Sequence, residues 1–173
     1  MSSIDKYQER YLAHQARKKD VLIEIVRQRH SNRMFAPEPV SDKDINELLM
    51  VCDFCPSSCD RLGIDKVVVN GRDDKNLLGG LLVGGVGWIH RSSHIILLFA
   101  DRVAYKAGDE VGFMPYLDAG VVIQQLYLTA TSMGLHCAYA NPNIRERHRV
   151  FMEDLYGDRI FCGAFAVGHP FES

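Results

Sequence analysis

Nowhere in the 173-residue sequence is there a run of about twenty apolar residues, so no segment qualifies as a membrane-spanning helix. The stretch from Met1 to Asp20 is polar and charged and lacks the apolar core of a secretion signal, so a cytoplasmic location is expected. An excess of one charge is also missing. Lys and Arg number 20 against 22 Asp and Glu, and a formal charge of −2 gives no general attraction to nucleic acid or anionic membranes. Neither partner is expected, which leaves a small molecule. The five cysteines are an odd number that does not read as a disulfide framework, so free thiols are expected. There is no His-Glu-x-x-His helix, no Gly-x-Ser-x-Gly elbow, no P-loop and no Gly-x-Gly-x-x-Gly turn, and hydrolase, P-loop and Rossmann readings lose their anchors. Repeats, low-complexity tracts and linkers are absent too.

What is present is enough apolar material, 47%, for one ordinary core. We expect a single domain over residues 1–173, with residues 1–20 as a helical extension. From about Ile4 to Arg29 the spacing is helical, in one long helix or two short ones, with Val21, Leu22, Ile25 and Val26 forming an apolar stripe. Ser41, followed by Asp42 and Asp44, reads as an N-cap with acids in the first turn of a helix that ends before Pro56. Strand composition marks Val67–Val69, His94–Ala100 and Phe161–Val167, with a shorter candidate at His136–Ala140. Pro115–Met133 is apolar around most of its circumference, which predicts a helix buried on two sides. In a chain this small, the second side calls for a second copy. Interleaved strands and helices indicate α+β or α/β, and periodicity does not choose between them.

The chemistry concentrates first in Arg29-His30-Ser31-Asn32-Arg33-Met34-Phe35, where two guanidinium groups, an imidazole and a hydroxyl fall within five positions. Arginine donates two parallel, charge-assisted hydrogen bonds to a phosphate and a serine hydroxyl can serve a third oxygen, so the segment suits an anion. The alternative reading is a solvated basic turn. Cys52, Cys55 and Cys59 invite a metal, but a structural zinc needs four ligands and an iron–sulfur cluster a fourth thiolate, so no metal is expected. Helical spacing puts Cys52 and Cys55 on one face, where free cysteine behaves as a small buried hydrophobe. Cys59 keeps the better claim to reactivity.

Arg29 to Phe35 resembles the FMN-binding segment of the nitroreductase family, Arg-Arg/His-Ser-x-Arg/Lys-x-Phe. The resemblance continues through Pro39-Val40 at the next helix and Cys55-Pro56-Ser57-Ser58-Cys59-Asp60, where the family has Ala-Pro-Ser-Ser-x-Asn. It extends through Asp118-Ala119-Gly120, Gln124-Gln125-Leu126, Gly134-Leu135 and Val167-Gly168-His169-Pro170, covering about Val21 to Pro170. It implies an α+β fold with a central, mostly antiparallel sheet flanked by helices, a long buried helix at a dimer interface, and FMN held between two identical subunits. Arg29, His30, Ser31 and Arg33 are thereby implied ligands of the FMN phosphate and ribityl chain. Pro56, Ser57 and Ser58 are implied contacts to the flavin ring of the other subunit, and Asp60 stands where the family has a ring-contacting Asn. Backbone N–H groups that reach the ring fall at Asn141 or Asn143, since Pro142 cannot donate.

The departures are Asp60, which when ionised only accepts hydrogen bonds; Leu62-Gly63-Ile64 in place of Gln-Pro-Trp; and a C-terminal stretch without the family's basic residues. In addition, the glycine-rich Gly79–Trp88 stretch replaces a polar helix that supplies an Asn and a Lys. Arg91, with His90 beside it, is the nearest available cation to compensate, and glycines 79, 80, 84, 85 and 87 could admit a flat ring close to the backbone. The activity implied is hydride transfer from NAD(P)H through flavin N5 to a small acceptor such as a nitroaromatic or quinone, with no protein acid or base required. The alternatives are a specialised flavoenzyme of the same fold and a binding or structural member without cofactor.

Overall fold

Helical periodicity in the N-terminal stretch resolves into one continuous helix in the computed structural model, which describes residues 3–105 and 108–171. The single-domain expectation therefore also includes Met1, Ser2, Lys106, Ala107, Glu172 and Ser173, which lie outside the described residues. Helix α1 (Ser3–Gln28) is exposed along nearly all of its length, its apolar residues included. Helix α2 (Asp42–Val51) starts as expected: the Ser41 side chain accepts a hydrogen bond from Asp44 N at 3.1 Å, and Ile45 and Leu48 turn into the core. A 3₁₀ turn, Cys52–Phe54, completes it before Pro56.

Strands β1 (Ile64–Val69), β2 (His94–Ala100), β3 (His136–Ala140) and β4 (Ile160–Gly168) form one antiparallel sheet in the order β1-β2-β4-β3. The central β2 is buried at every position, as its unbroken apolar run requires. Its alternate side chains face two cores. Ile96, Leu98 and Ala100 pack with α2 and the long helix α4 (Glu110–Ser132). Ile95, Leu97 and Phe99 pack with Leu78 and Leu82 at helix α3 (Arg72–Leu81), with Ile89, and with Tyr156 of helix α5 (Glu146–Tyr156). The sheet is thus the middle of three layers, and the architecture is α+β.

The structure corrects three expectations: where α4 starts, what Gly79 offers and how far β1 and β4 run. Helix α4 begins at Glu110, so Pro115 lies inside it and leaves the Val111 carbonyl without its helical N–H donor. Only one side of α4 is buried within the chain, through Pro115, Asp118, Ala119, Val122, Leu126, Tyr127 and Ala130. Its other side exposes Phe113 (50%), Tyr116 (46%), Leu117 (59%) and Val121 (38%), spaced to form a continuous apolar stripe. Gly79 and Gly80 belong to α3, where Gly79 is buried beside His90 and offers no open backbone to a ring, while Gly80 is exposed with open space around it. Strands β1 and β4 also extend beyond the apolar runs read from composition.

The β2–β4 register slips between Leu98/Gly163 and Phe99/Phe161, and Gly163 at this bulge has φ +113°. A Cβ there would collide with Tyr139 Oη and come within 2.7 Å of the Ala140 carbonyl oxygen. Gly163→Ala is therefore expected to destabilise the fold by about 2–5 kcal/mol, strain and overpacking together, read as a lower urea midpoint. A midpoint matching the parent protein would show that the bulge relaxes freely.

Candidate functional site

The basic segment after α1 runs along the edge of the sheet. Asn32 N donates to Cys137 O of β3 at 2.8 Å, Ala36 N donates to His169 O at 3.0 Å, and Phe35 pairs with Pro170. Phe35 is buried and anchors the strip, while Ser31 and Arg33 stay exposed and Arg29 half-buried. His30 is tied within the strip. Its Nδ1 lies 2.7 Å from Gln28 O, which can only accept, so Nδ1 carries the proton and Nε2 accepts from Asn32 Nδ2 at 2.8 Å. Both ring nitrogens are engaged locally, and the imidazole organises the turn.

Tyr127 of α4 joins this strip to the sheet. Its hydroxyl oxygen accepts from Tyr139 N at 2.8 Å and lies 2.8 Å from Ser31 Oγ. With Tyr127 donating to Ser31, the serine proton is free for an outside acceptor. Arg29 lies over the Tyr127 ring at 5.3 Å and Arg33 over the Trp88 ring at 5.4 Å. Neither guanidinium has a carboxylate partner among the described residues, so both charges remain available to an anion.

Trp88, which the sequence reading did not single out, extends the cluster. Its Nε1 donates to Gly84 O at 2.7 Å, and a Cβ on Gly84 would come within 3.6 Å of Asn141 Oδ1. Val83 N donates to Asn143 O at 3.0 Å, and Asn143 N reaches Asn141 Oδ1 at 3.4 Å. The fold thus brings Arg29, Ser31, Arg33, Trp88, Gly84, Asn141 and Asn143 into one connected surface. Trp88 is the sole tryptophan, and an indole within a glycine-rich stretch was the available signal.

The Pro56-Ser57-Ser58 loop is held elsewhere on α4. Ser58 N donates to Asp118 Oδ1 and Oδ2 at 3.0 and 3.2 Å, and Tyr105 Oη donates to Asp118 Oδ2 at 3.1 Å. Asp118 and Tyr127 are separated by about 14 Å along the helix and about half a turn around it. Asp60 and Arg91 are exposed, and their side chains make no hydrogen bond or ion pair among the described residues; Asp60 lies in the loop held by Asp118, while Arg91 N donates to Trp88 O at 3.0 Å and so sits beside the residue that stacks on Arg33.

All five cysteines are free, and Cys52, Cys55, Cys137 and Cys162 are buried. Burial pushes the thiols of Cys52, Cys137 and Cys162 up to about 12, and burial likewise takes the Tyr139 phenol to about 12. No group of three or more His, Cys, Asp or Glu residues able to hold a metal occurs among the described residues. No helix among them is long and apolar enough to cross a membrane.

A model of the nitroreductase family matches residues 82–169. No curated protein sequence matches the chain. Among solved structures, a candidate nitroreductase of Desulfovibrio desulfuricans in complex with FMN is 25% identical, with TM-score 0.73 and 87% of each chain covered. A candidate NADH dehydrogenase/NAD(P)H nitroreductase of Parabacteroides distasonis is 21% identical, with TM-score 0.75 and 88% of each chain covered. The NADPH:FMN oxidoreductase of Vibrio harveyi, complexed with NAD+, is 19% identical with TM-score 0.77, covering 88% of this chain and 70% of its own.

Two outcomes follow from the thiols. A thiol reagent at pH 8 is expected to modify Cys59 rapidly, with Cys59→Ser abolishing the fast phase; rapid modification of several cysteines would contradict the burial. The raised folded-state values mean that the unfolded chain releases its thiol protons first, near 9. Stability is therefore full below pH 9 and falls as pH rises toward 12, and a urea midpoint unchanged between pH 8 and 10.5 would contradict this.

Proposed function

The chain belongs to the nitroreductase family, and on that premise we propose that it is an FMN-dependent oxidoreductase, working as a homodimer, that moves reducing equivalents from NAD(P)H to a small acceptor such as a nitroaromatic or quinone. The observation that carries this reading is the pair of guanidinium groups, Arg29 over Tyr127 and Arg33 over Trp88, without carboxylate partners and beside the Ser31 hydroxyl. A donor set of two arginines and a serine fits a phosphate monoester. The FMN complex of the Desulfovibrio desulfuricans relative supports the same ligand.

In this reading Arg29 and Arg33 neutralise the phosphate, Ser31 donates to one of its oxygens or to the ribityl chain, and His30 keeps the strip in shape. Asn141 offers its backbone N–H to the ring edge, while the Asn143 N–H is turned to Asn141 Oδ1 at 3.4 Å, and Gly84, with no Cβ of its own, lies beside them. When bound, FMN supplies the hydride chemistry at N5. The protein binds, orients and shields, and the final protons come from solvent.

The homodimer is supported by the open apolar stripe of α4 and by the exposed apolar residues of α1, among them Tyr7, Leu12, Leu22 and Val26. Two copies also bring together what one chain keeps apart. Asp118 and Tyr127 anchor the two implied contact sets at the two margins of the buried face of α4, about 14 Å apart along the helix, and in a two-chain site the Arg29–Arg33 strip comes from one copy and the Pro56–Ser58 loop from the other.

Trp88 is the natural reporter, as the sole tryptophan stacked on Arg33. Titration with FMN is expected to quench its emission to saturation at one FMN per chain. Loss of a charged hydrogen bond costs about 1.5–3 kcal/mol, so Arg33→Ala is expected to weaken FMN by about ten- to 150-fold. Protein that neither quenches nor carries flavin absorbance with excess FMN would defeat the reading. An Arg33→Ala chain with parental affinity would remove Arg33 from the site.

A further inference from the structure

The loop that carries Ser57 and Ser58 is strained. Cys59, Asp60 and Leu62 have φ of 51°, 56° and 49°, the left-handed region that L side chains rarely adopt. Backbone of this kind persists only where its surroundings over-determine it, and it gathers at functional sites. Here the determinants are explicit. Leu62 N donates to Ser57 Oγ at 2.8 Å, Asp60 N donates to Ser57 O at 3.0 Å, and Arg61 N donates to Ser58 O at 3.2 Å. From α4, Glu110 accepts from Arg61 Nη1 at 2.8 Å, and the Asp118 carboxylate, 6% exposed, takes the Ser58 N–H.

A buried carboxylate costs more than an amide unless both its oxygens are used. Asp118 uses both, and they face donors from two elements: the Ser58 N–H from the loop and the Tyr105 hydroxyl from behind. An Asn at this position would have to turn its own NH₂ toward one of those donors. Burial, reinforced by the Asp118 charge, pushes the Tyr105 phenol up, so its hydroxyl stays protonated and keeps donating.

We propose that Asp118, braced by Tyr105, is a positioning residue for flavin binding: by holding the Ser58 N–H it fixes the strained 57–62 loop in the shape that meets the flavin of the other subunit. The inference rests on the flavin reading above and adds to it the residue that sets the loop. Asp118 touches neither cofactor nor acceptor, and its effect reaches them through Ser57 and Ser58.

The test compares Asp118→Asn, Asp118→Ala and Tyr105→Phe with the parent protein, using FMN affinity, the visible band of bound flavin, and amide hydrogen exchange at residues 58–62 in protein without flavin. Tyr105→Phe removes a single oxygen and keeps the ring packing, so it serves even where an Asp118 variant folds poorly. The expected result is faster exchange at Ser58 and Leu62, FMN affinity lowered about tenfold in Asp118→Ala and less in the other two, and a shifted flavin band in all three. Faster exchange with parental affinity and spectrum would overturn the proposal, since the loop would then be held for the fold alone. Unchanged exchange would overturn it too, because Asp118 would not be what holds the loop. An Arg33→Ala chain that loses affinity while the Asp118 and Tyr105 variants keep it separates failure of this inference from failure of the flavin reading. Parental protein that takes up no FMN ends both.

Discussion

Two buried hydrogen-bonding side chains on one helix hold the proposed site in place. Tyr127 of α4 links the Arg29–Arg33 strip to β3, and Asp118 of the same helix holds the 57–62 loop. The helix itself is fixed by packing Ala119, Val122, Leu126 and Ala130 against the sheet, so both strips inherit the rigidity of the core. A site built this way tolerates polar, exposed ligand groups because its precision comes from residues that never touch the ligand. The chemistry that remains for the exposed residues is electrostatic: two guanidinium groups without carboxylate partners, placed over aromatic rings that limit their motion without neutralising them.

The same helix explains why one chain looks unfinished. Half of α4 is buried and half is an apolar stripe facing outward, and α1 projects with its own apolar residues exposed. A contiguous apolar face of this extent is unusual on a stable monomer. Burying it against a second copy is the simplest way to satisfy it, and in the proposed dimer that copy would supply each strip with the complementary loop. Quaternary structure and site would then be the same device.

Much of this was visible in the sequence, and what was hidden was hidden for physical reasons. Strand β2 was readable to the residue because a centrally buried strand needs an unbroken apolar run, and α2 because Ser41 caps it with its own side chain. Strand β1 extends to Ile64 through Asp65 and Lys66, edge positions where charge is tolerated and strand composition fails. Helix α5 went unread because among its described side chains only Met152 is fully buried. The resemblance located Arg29, Ser31, Arg33, Asn141 and Asn143, which the fold gathers on one surface, and Asp60, which lies apart from them in the 57–62 loop; Arg91, read from its charge and position alone, lies beside Trp88. Asp118 and Tyr127 could not be read as anchors at all. Their partners lie 60 and 96 positions away in sequence, and hydrogen bonds across such distances leave no local pattern.

The central claim is that each flavin site takes its phosphate strip from one chain and its loop from the other. Mixed dimers test it directly, pairing an Arg33→Ala chain with an Asp118→Ala chain and counting FMN bound at a concentration where neither variant homodimer holds it. The two-chain account predicts one FMN per mixed dimer, because one of the two sites receives the intact strip and the intact loop. No bound FMN in the mixed dimer would contradict it, since defects carried on separate chains would then each have fallen in a site built within a single chain.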